Sequence, residues 1–455
     1  MEKRENFKTR IGFIMASAGC AIGLGNVWRF PFITGKYGGA AFVLVYLLFL
    51  VILGLPIMLA EFAVGRASGK SAVKSFNELE PKGSKWHIIG KFAAAGNIIL
   101  MMFYTTVAGW MLSYTAKSAS GVFSGLDAAG VESVFPAMLS NPGEQIFWLF
   151  VVVAVGFYVC RFGLENGVEN VLTWMMSALL VLMLLLVVRA VMLPGASKGL
   201  AFYLKPDFAK MFESGFGEVV FAAMGQAFFT LSLGIGSIAI FGSYTGKEKA
   251  ITGSSITIIA LDTFVALMSG LIIFPTCFAF GVEPGQGPGL IFVTLPNIFN
   301  SMPLGRLWGT IFFIFMSFAA LSTVIAVFEN IISFTIDMFG WDRKKAVMIN
   351  GVALFILSIP CALGFNIWSG VGIPKIGGIQ DIEDFIVSNN LLPLGSLFYV
   401  LFCASKKGWG FDNFQAEVNT GDGMKLTSKL RFYFTWILPI IIFVIWLVGY
   451  IQKFA

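Results

Sequence analysis

The stretch Ala18–Pro31 reads AGCAIGLGNVWRFP. It lies inside the first long apolar run of the chain, yet it holds Gly19, Gly23 and Gly25, and then Asn26, Arg29 and Pro31. A continuous membrane helix has no use for that set, so the stretch poses the question of what interrupts it. The composition fixes the frame. Of 455 residues, 57% are hydrophobic and 12% are charged, and the mean hydropathy is +0.83. Soluble domains carry roughly 25% charged residues. Apolar runs of spanning length recur from end to end and lack the period-2 alternation of barrel strands, so the class is an all-α membrane protein.

Eleven spans are expected, at about 10–34, 40–64, 88–114, 145–160, 166–191, 216–244, 250–281, 304–339, 346–363, 381–402 and 430–451. They are numbered 1 to 11 below. Net charge is +6, but the Lys and Arg residues are concentrated in alternate loops. That distribution is a topology signal and argues against nucleic-acid binding. It puts the N-terminus in the cytoplasm and the C-terminus outside, in a multi-pass protein of the cell (inner) membrane surrounded by lipid. The charged N-terminal segment has no cleavage-site pattern, so no removed signal peptide is expected. Cys20, Cys160, Cys277, Cys361 and Cys403 show no metal-ligand spacing and read as small hydrophobes. His87, beside Trp86, reads as interfacial. Two connecting stretches, 115–144 and 282–303, are long; the second is apolar enough for a short helix packed on the protein.

An internal echo points further. Gly23-Leu24-Gly25 in span 1 is matched by Gly234-Ile235-Gly236 in span 6, five spans later. Glycine-interrupted segments at corresponding places of two halves indicate a midplane site in a transporter. Close helix packing at Gly19-x-x-x-Gly23 is the alternative. The halves are 1–195 and 196–405, with 406–455 forming an inner loop and span 11.

These residues resemble the neurotransmitter:sodium symporter family. The most specific match is GNVWRFP, Gly25–Pro31; GQAFFTLSLGIGS, from Gly225 to Ser237, and AALSTVIAV, from Ala319 to Val327, add to it. The family commonly has twelve helices, whereas eleven are read here. The resemblance implies a five-plus-five inverted repeat with spans 1 and 6 broken, no enzymatic activity, and sodium-coupled symport of an amino acid with two sodium ions.

One ion site would use the Ala21 carbonyl, Asn26, Thr230 and Asp262, the last standing where many relatives have Asn. A fixed carboxylate there implies chloride independence. The alternative is an Asp262 that snorkels to the membrane edge. The other ion site would use the Gly19, Ile22 and Ala319 carbonyls with Ser322 and Thr323, which share a helix face as i, i+3 and i+4. The substrate would meet Cys20, Ala21, Gly23, Leu24, Gly25, Tyr104, Phe229, Thr230, Ser232 and Thr323, and its side chain would meet Leu100, Phe229, Ile235 and Val327. Relatives that carry biogenic amines have Asp at the place of Gly23, so the substrate here should bring its own carboxylate. The apolar lining implies a hydrophobic side chain, aliphatic or aromatic.

Arg29 and Asp384 match an outer gate. Arg4, Tyr244, Glu329 and Asp337 match an inner one, with Phe7 where the family usually has Trp. Glu61 should accept amides of broken span 6, or alternatively snorkel near Arg66. Span 5 departs from the family's Gly-x9-Pro pattern, with Ser177 following Gly167. An intramembrane aspartyl protease is disfavoured by the missing GxGD setting. A sensor without net transport, and a channel, are disfavoured by the paired gates.

Overall fold

The computed structural model describes residues 5–213, 215–282 and 289–454. Among the described residues the regular structure is helical, apart from a two-residue antiparallel pairing of Gly372–Ile373 with Gly377–Gly378 just before span 10 and an isolated bridge between Lys249 and Asp422. Among the described residues, nine helices are long and apolar enough to cross a membrane, and a bent pair, Arg10–Ala21 with Gly25–Lys36, makes ten. The remaining expected span, the sixth, consists of Phe216–Thr230 and Ser237–Ser243, neither of which reaches spanning length alone. The two longest helices, His87–Ser120 of span 3 and Gly305–Phe339 of span 8, pack along each other at the centre.

Local chemistry sets the ends of these elements. Thr9 caps span 1 by accepting the Gly12 amide at 2.9 Å, which satisfies one of the orphan donors of a helix start. The helix stops at Ala21 because Ile22 turns extended, at φ −70° and ψ 104°. The following half leaves at 55° to the first. Span 6 stops at Thr230, and residues 231–236 form turns. Gly234 there has φ +98°, and a Cβ on it would collide with the Leu392 carbonyl; only glycine tolerates both conditions.

Outside the spans, the 115–144 stretch is more ordered than a loop. Span 3 runs on to Ser120, and Asp127 caps a helix over Ala128–Ser140. The 282–303 stretch holds the short apolar helix Leu290–Ser301. All five cysteines are free and buried. His87 Nδ1 lies 2.7 Å from Glu80.

Candidate transport site

Each break exposes backbone groups that cost several kcal/mol apiece if left unpaired in a membrane. Side chains from other elements take them up. In span 1, the Gly23 N–H donates to Asn26 Oδ1 at 3.0 Å and the Leu24 N–H donates to the Tyr104 hydroxyl at 3.0 Å. The Gly25 carbonyl accepts from Gln226 at 2.9 Å, and the Cys20 carbonyl from the Ser232 hydroxyl at 3.3 Å. In span 6, Glu61 accepts the Gly234 N–H. Asn97 donates to the Ile235 carbonyl at 2.6 Å, and Asn330 to the Gly236 carbonyl at 3.3 Å. Both Asn330 and Ser237 also donate to Asn97 Oδ1 at 3.0 Å. Glu61 is fully buried, and Arg66 pairs instead with Glu417 at 2.6 Å. The snorkelling alternative for Glu61 is therefore excluded.

Two clusters of oxygen atoms flank the break in span 1. In the first, the Asn26 amide nitrogen lies 2.8 Å from Thr230 Oγ1 and 2.8 Å from Asp262 Oδ1. The Thr230 hydroxyl lies 3.1 Å from Asp262 Oδ2. Asp262 is fully buried within the interior of the helix Ile251–Ala279. In the second, Ser322 Oγ lies 3.4 Å from the Ile22 carbonyl and 3.1 Å from that of Ala319. Thr323 Oγ1 lies 3.3, 3.2 and 3.5 Å from the Gly19, Ile22 and Ala319 carbonyls. Carbonyl, hydroxyl and carboxylate oxygens are the donor set of a hard cation.

At the break is a cavity of 20 Å³ lined by Ala21, Gly23, Gly25, Leu100, Tyr104, Phe229, Ser232, Thr323 and Leu392. Most of the expected substrate contacts therefore converge. Ile235 and Val327 are buried but do not line the cavity, while Leu392 of span 10 does. A Cβ on Gly23 would run into both the Tyr104 hydroxyl and Thr323 Oγ1. Phe229 and Tyr104 also border a second cavity, of 240 Å³, shared with Trp28, Arg29, Val107 and Asp384. The Arg29 guanidinium lies over the Phe229 ring, 4.3 Å from its centroid. Asp384 accepts from the Ser388 hydroxyl at 2.6 Å.

At the opposite end, Glu329 receives Arg343 in a two-pronged pair at 2.8 and 2.9 Å and the Tyr244 hydroxyl at 2.9 Å. Asp337 accepts the Ser71 N–H at 2.7 Å. Phe7 donates its N–H to the Tyr244 carbonyl at 3.1 Å, and its ring meets those of Phe13 and Tyr244 at 5.6 and 6.1 Å. Arg4 lies outside the described residues. Arg343 is the cation that the sequence reading passed over. It follows Asp342 at a helix start, where a basic residue looks like loop charge.

The sodium:neurotransmitter symporter family model matches residues 4–124 and 131–454. The chain belongs to this family. It is 35% identical over 453 residues to a sodium-dependent transporter of Bacillus subtilis, YhdH, covering 98% of each chain. A sodium-dependent transporter of Haemophilus influenzae is 32% identical over 463 residues, again with 98% of each covered. Among solved structures, MhsT in complex with L-phenylalanine superposes with a TM-score of 0.88 at 38% identity, covering 98% of this chain and 99% of that one. The chain is thus a multi-pass, all-α membrane transporter of a sodium-dependent symporter family and not an enzyme.

Proposed function

We propose that this symporter couples the inward movement of a hydrophobic amino acid to two sodium ions, without chloride. The observation that carries the reading is the pair of oxygen clusters on either side of the Gly23 break, with the Leu24 and Gly25 backbone and Tyr104 between them. The α-carboxylate of the substrate docks against the Gly25 amide and the Tyr104 hydroxyl, where half-helix amides favour an anion. One sodium sits among the Ala21 carbonyl, Asn26, Thr230, Asp262 and the substrate carboxylate, the Asn26 amide turning its oxygen inward. The other sits among the Gly19, Ile22 and Ala319 carbonyls, Ser322 and Thr323.

Coupling is physical because the substrate carboxylate is itself a sodium ligand, so each raises the affinity for the other. The absence of a side chain at Gly23 leaves room for that carboxylate. Leu100, Phe229 and Leu392 offer no partner to a charged side chain, which supports an apolar substrate. A cavity of 20 Å³ is about the size of a single water, so the amino acid enters by displacing Phe229.

With the N-terminus in the cytoplasm, substrate arrives through the cavity beside Arg29 and Asp384. These two residues then close above it, the core bundle of spans 1, 2, 6 and 7 tilts, and the Arg343–Glu329–Tyr244 cluster parts. The complex with L-phenylalanine formed by MhsT supports an aromatic or large aliphatic substrate. Proteoliposome uptake of labelled phenylalanine and leucine tests the proposal. Accumulation driven by a sodium gradient, and kept when gluconate replaces chloride, is expected. Equal uptake in potassium, or a strict chloride requirement, would contradict it.

A further inference from the structure

The N-terminal arm is held by a carboxylate that the transport site does not use. Glu169 ends the wide-turned segment Leu164–Glu169 with which span 5 begins, and it is buried, at 4% exposure. One of its oxygens accepts the Lys8 N–H at 2.9 Å. The other accepts both the N–H and the hydroxyl of Thr9, at 3.1 and 3.0 Å. The same Thr9 hydroxyl caps span 1 at Gly12. A Cβ on Gly12 would occupy the place of the Glu169 carboxylate, so the glycine is what lets the two elements approach. At the other end of the segment, Glu5 accepts the Leu164 N–H at 2.5 Å and lies 3.6 Å from Arg343. The arm is therefore fastened at both ends of one irregular turn of span 5, and Arg343 joins that fastening to the Glu329 pair.

We propose that Glu169 is a positioning residue of the inner gate, an inference that rests on the transport reading above. A negative charge at the start of the half-helix Arg10–Ala21 complements its dipole and binds the Lys8 and Thr9 amides that lead into it. That half-helix carries the Gly19 carbonyl and leads into Ile22, so its placement sets the second oxygen cluster. To open the inner side, the half-helix must leave Glu169.

Hydrogen–deuterium exchange on the full-length protein in lipid nanodiscs reads the arm directly. Glu169→Gln keeps the shape but replaces a charged acceptor by a neutral one of roughly half the strength. Exchange in peptides covering residues 5–13 is expected to rise about ten-fold, while peptides from Gly305–Phe339 stay as in the wild type. The sodium concentration needed for substrate binding is expected to rise with it. Gly12→Ala should release the arm in the same way, and should add nothing in a Glu169→Ala background. An arm that exchanges at the wild-type rate in Glu169→Gln, additive effects of the two substitutions, or faster exchange throughout the chain would overturn the proposal. A protected arm in a wild-type protein that binds no substrate in sodium would defeat the transport reading, and the gate role with it. Sodium-dependent binding that both variants leave intact would defeat the gate role alone.

Discussion

Asp262 lies 2.8 Å from the Asn26 amide and 3.1 Å from the Thr230 hydroxyl, and so joins span 7 to both interrupted helices at one buried point. In the proposed mechanism this carboxylate supplies the negative charge beside the first oxygen cluster. Replacing it by Asp262→Asn removes the charge and keeps the shape. Uptake by this variant is expected to fall about ten-fold or more in gluconate medium and to recover in chloride, a charge-paired contact being worth upwards of 1.4 kcal/mol. Parallel uptake assays in the two media check it; recovery without chloride would contradict the role given to Asp262.

Glu329 is fully buried and is held by Arg343 and Tyr244. Removing one partner of a buried ion pair costs about 3–5 kcal/mol, because the other charge is stranded. Arg343→Ala is therefore expected to lower the thermal midpoint in detergent and to make the inner side more accessible to thiol reagents at an introduced cysteine. Arg343→Lys, which cannot bond in two prongs, should fall between.

The Tyr104 hydroxyl accepts the Leu24 amide at 3.0 Å and borders the central cavity. Tyr104→Phe deletes the donor proposed for the substrate carboxylate and strands that amide. Hydrogen bonds to charged groups contribute about 1.5–3 kcal/mol, so a rise in KM of about ten-fold or more is expected, with the fold intact. Kinetic constants from initial uptake rates, with the thermal midpoint as control, check it. Gly23→Asp should abolish amino-acid binding altogether, since its side chain meets Tyr104 and Thr323.

Much of this was legible in the sequence because a membrane rewards length and punishes exposed backbone. Apolar runs placed most of the long helices to within a few residues, although span 3 runs on to Ser120, and Gly23, Gly25, Gly234 and Gly236 marked the breaks. The residues that complete the breaks were not legible. Asn97 and Asn330 are lone amides in apolar helices, and nothing local tells a solvent-shy amide that caps a distant carbonyl from one that bonds its own helix. Gln226 and Leu392 were missed for the same reason: their roles depend on which element lies opposite. Glu169 finds its partners in the N-terminal arm, several spans earlier, and Arg343 folds back on Glu329 of the preceding helix; side-chain type alone cannot assign such pairs.

Asn97 supplies a separate test. It bonds the Ala93 and Ile235 carbonyls and accepts from Ser237 and Asn330. Asn97→Leu keeps volume and strands several buried groups, each costing about 1–3 kcal/mol. A large loss of thermal stability is expected, together with loss of substrate binding. A stable variant that binds normally would show that span 6 does not need this support.

The most direct test of a shared sodium and carboxylate site is equilibrium binding of labelled phenylalanine and leucine to the detergent-purified protein, in sodium and in equimolar potassium. Saturable binding in sodium that disappears in potassium, and that is lost when the amino acid is replaced by its decarboxylated amine, is the expected result. Binding that is equal in the two salts, or that survives loss of the carboxylate, would contradict it.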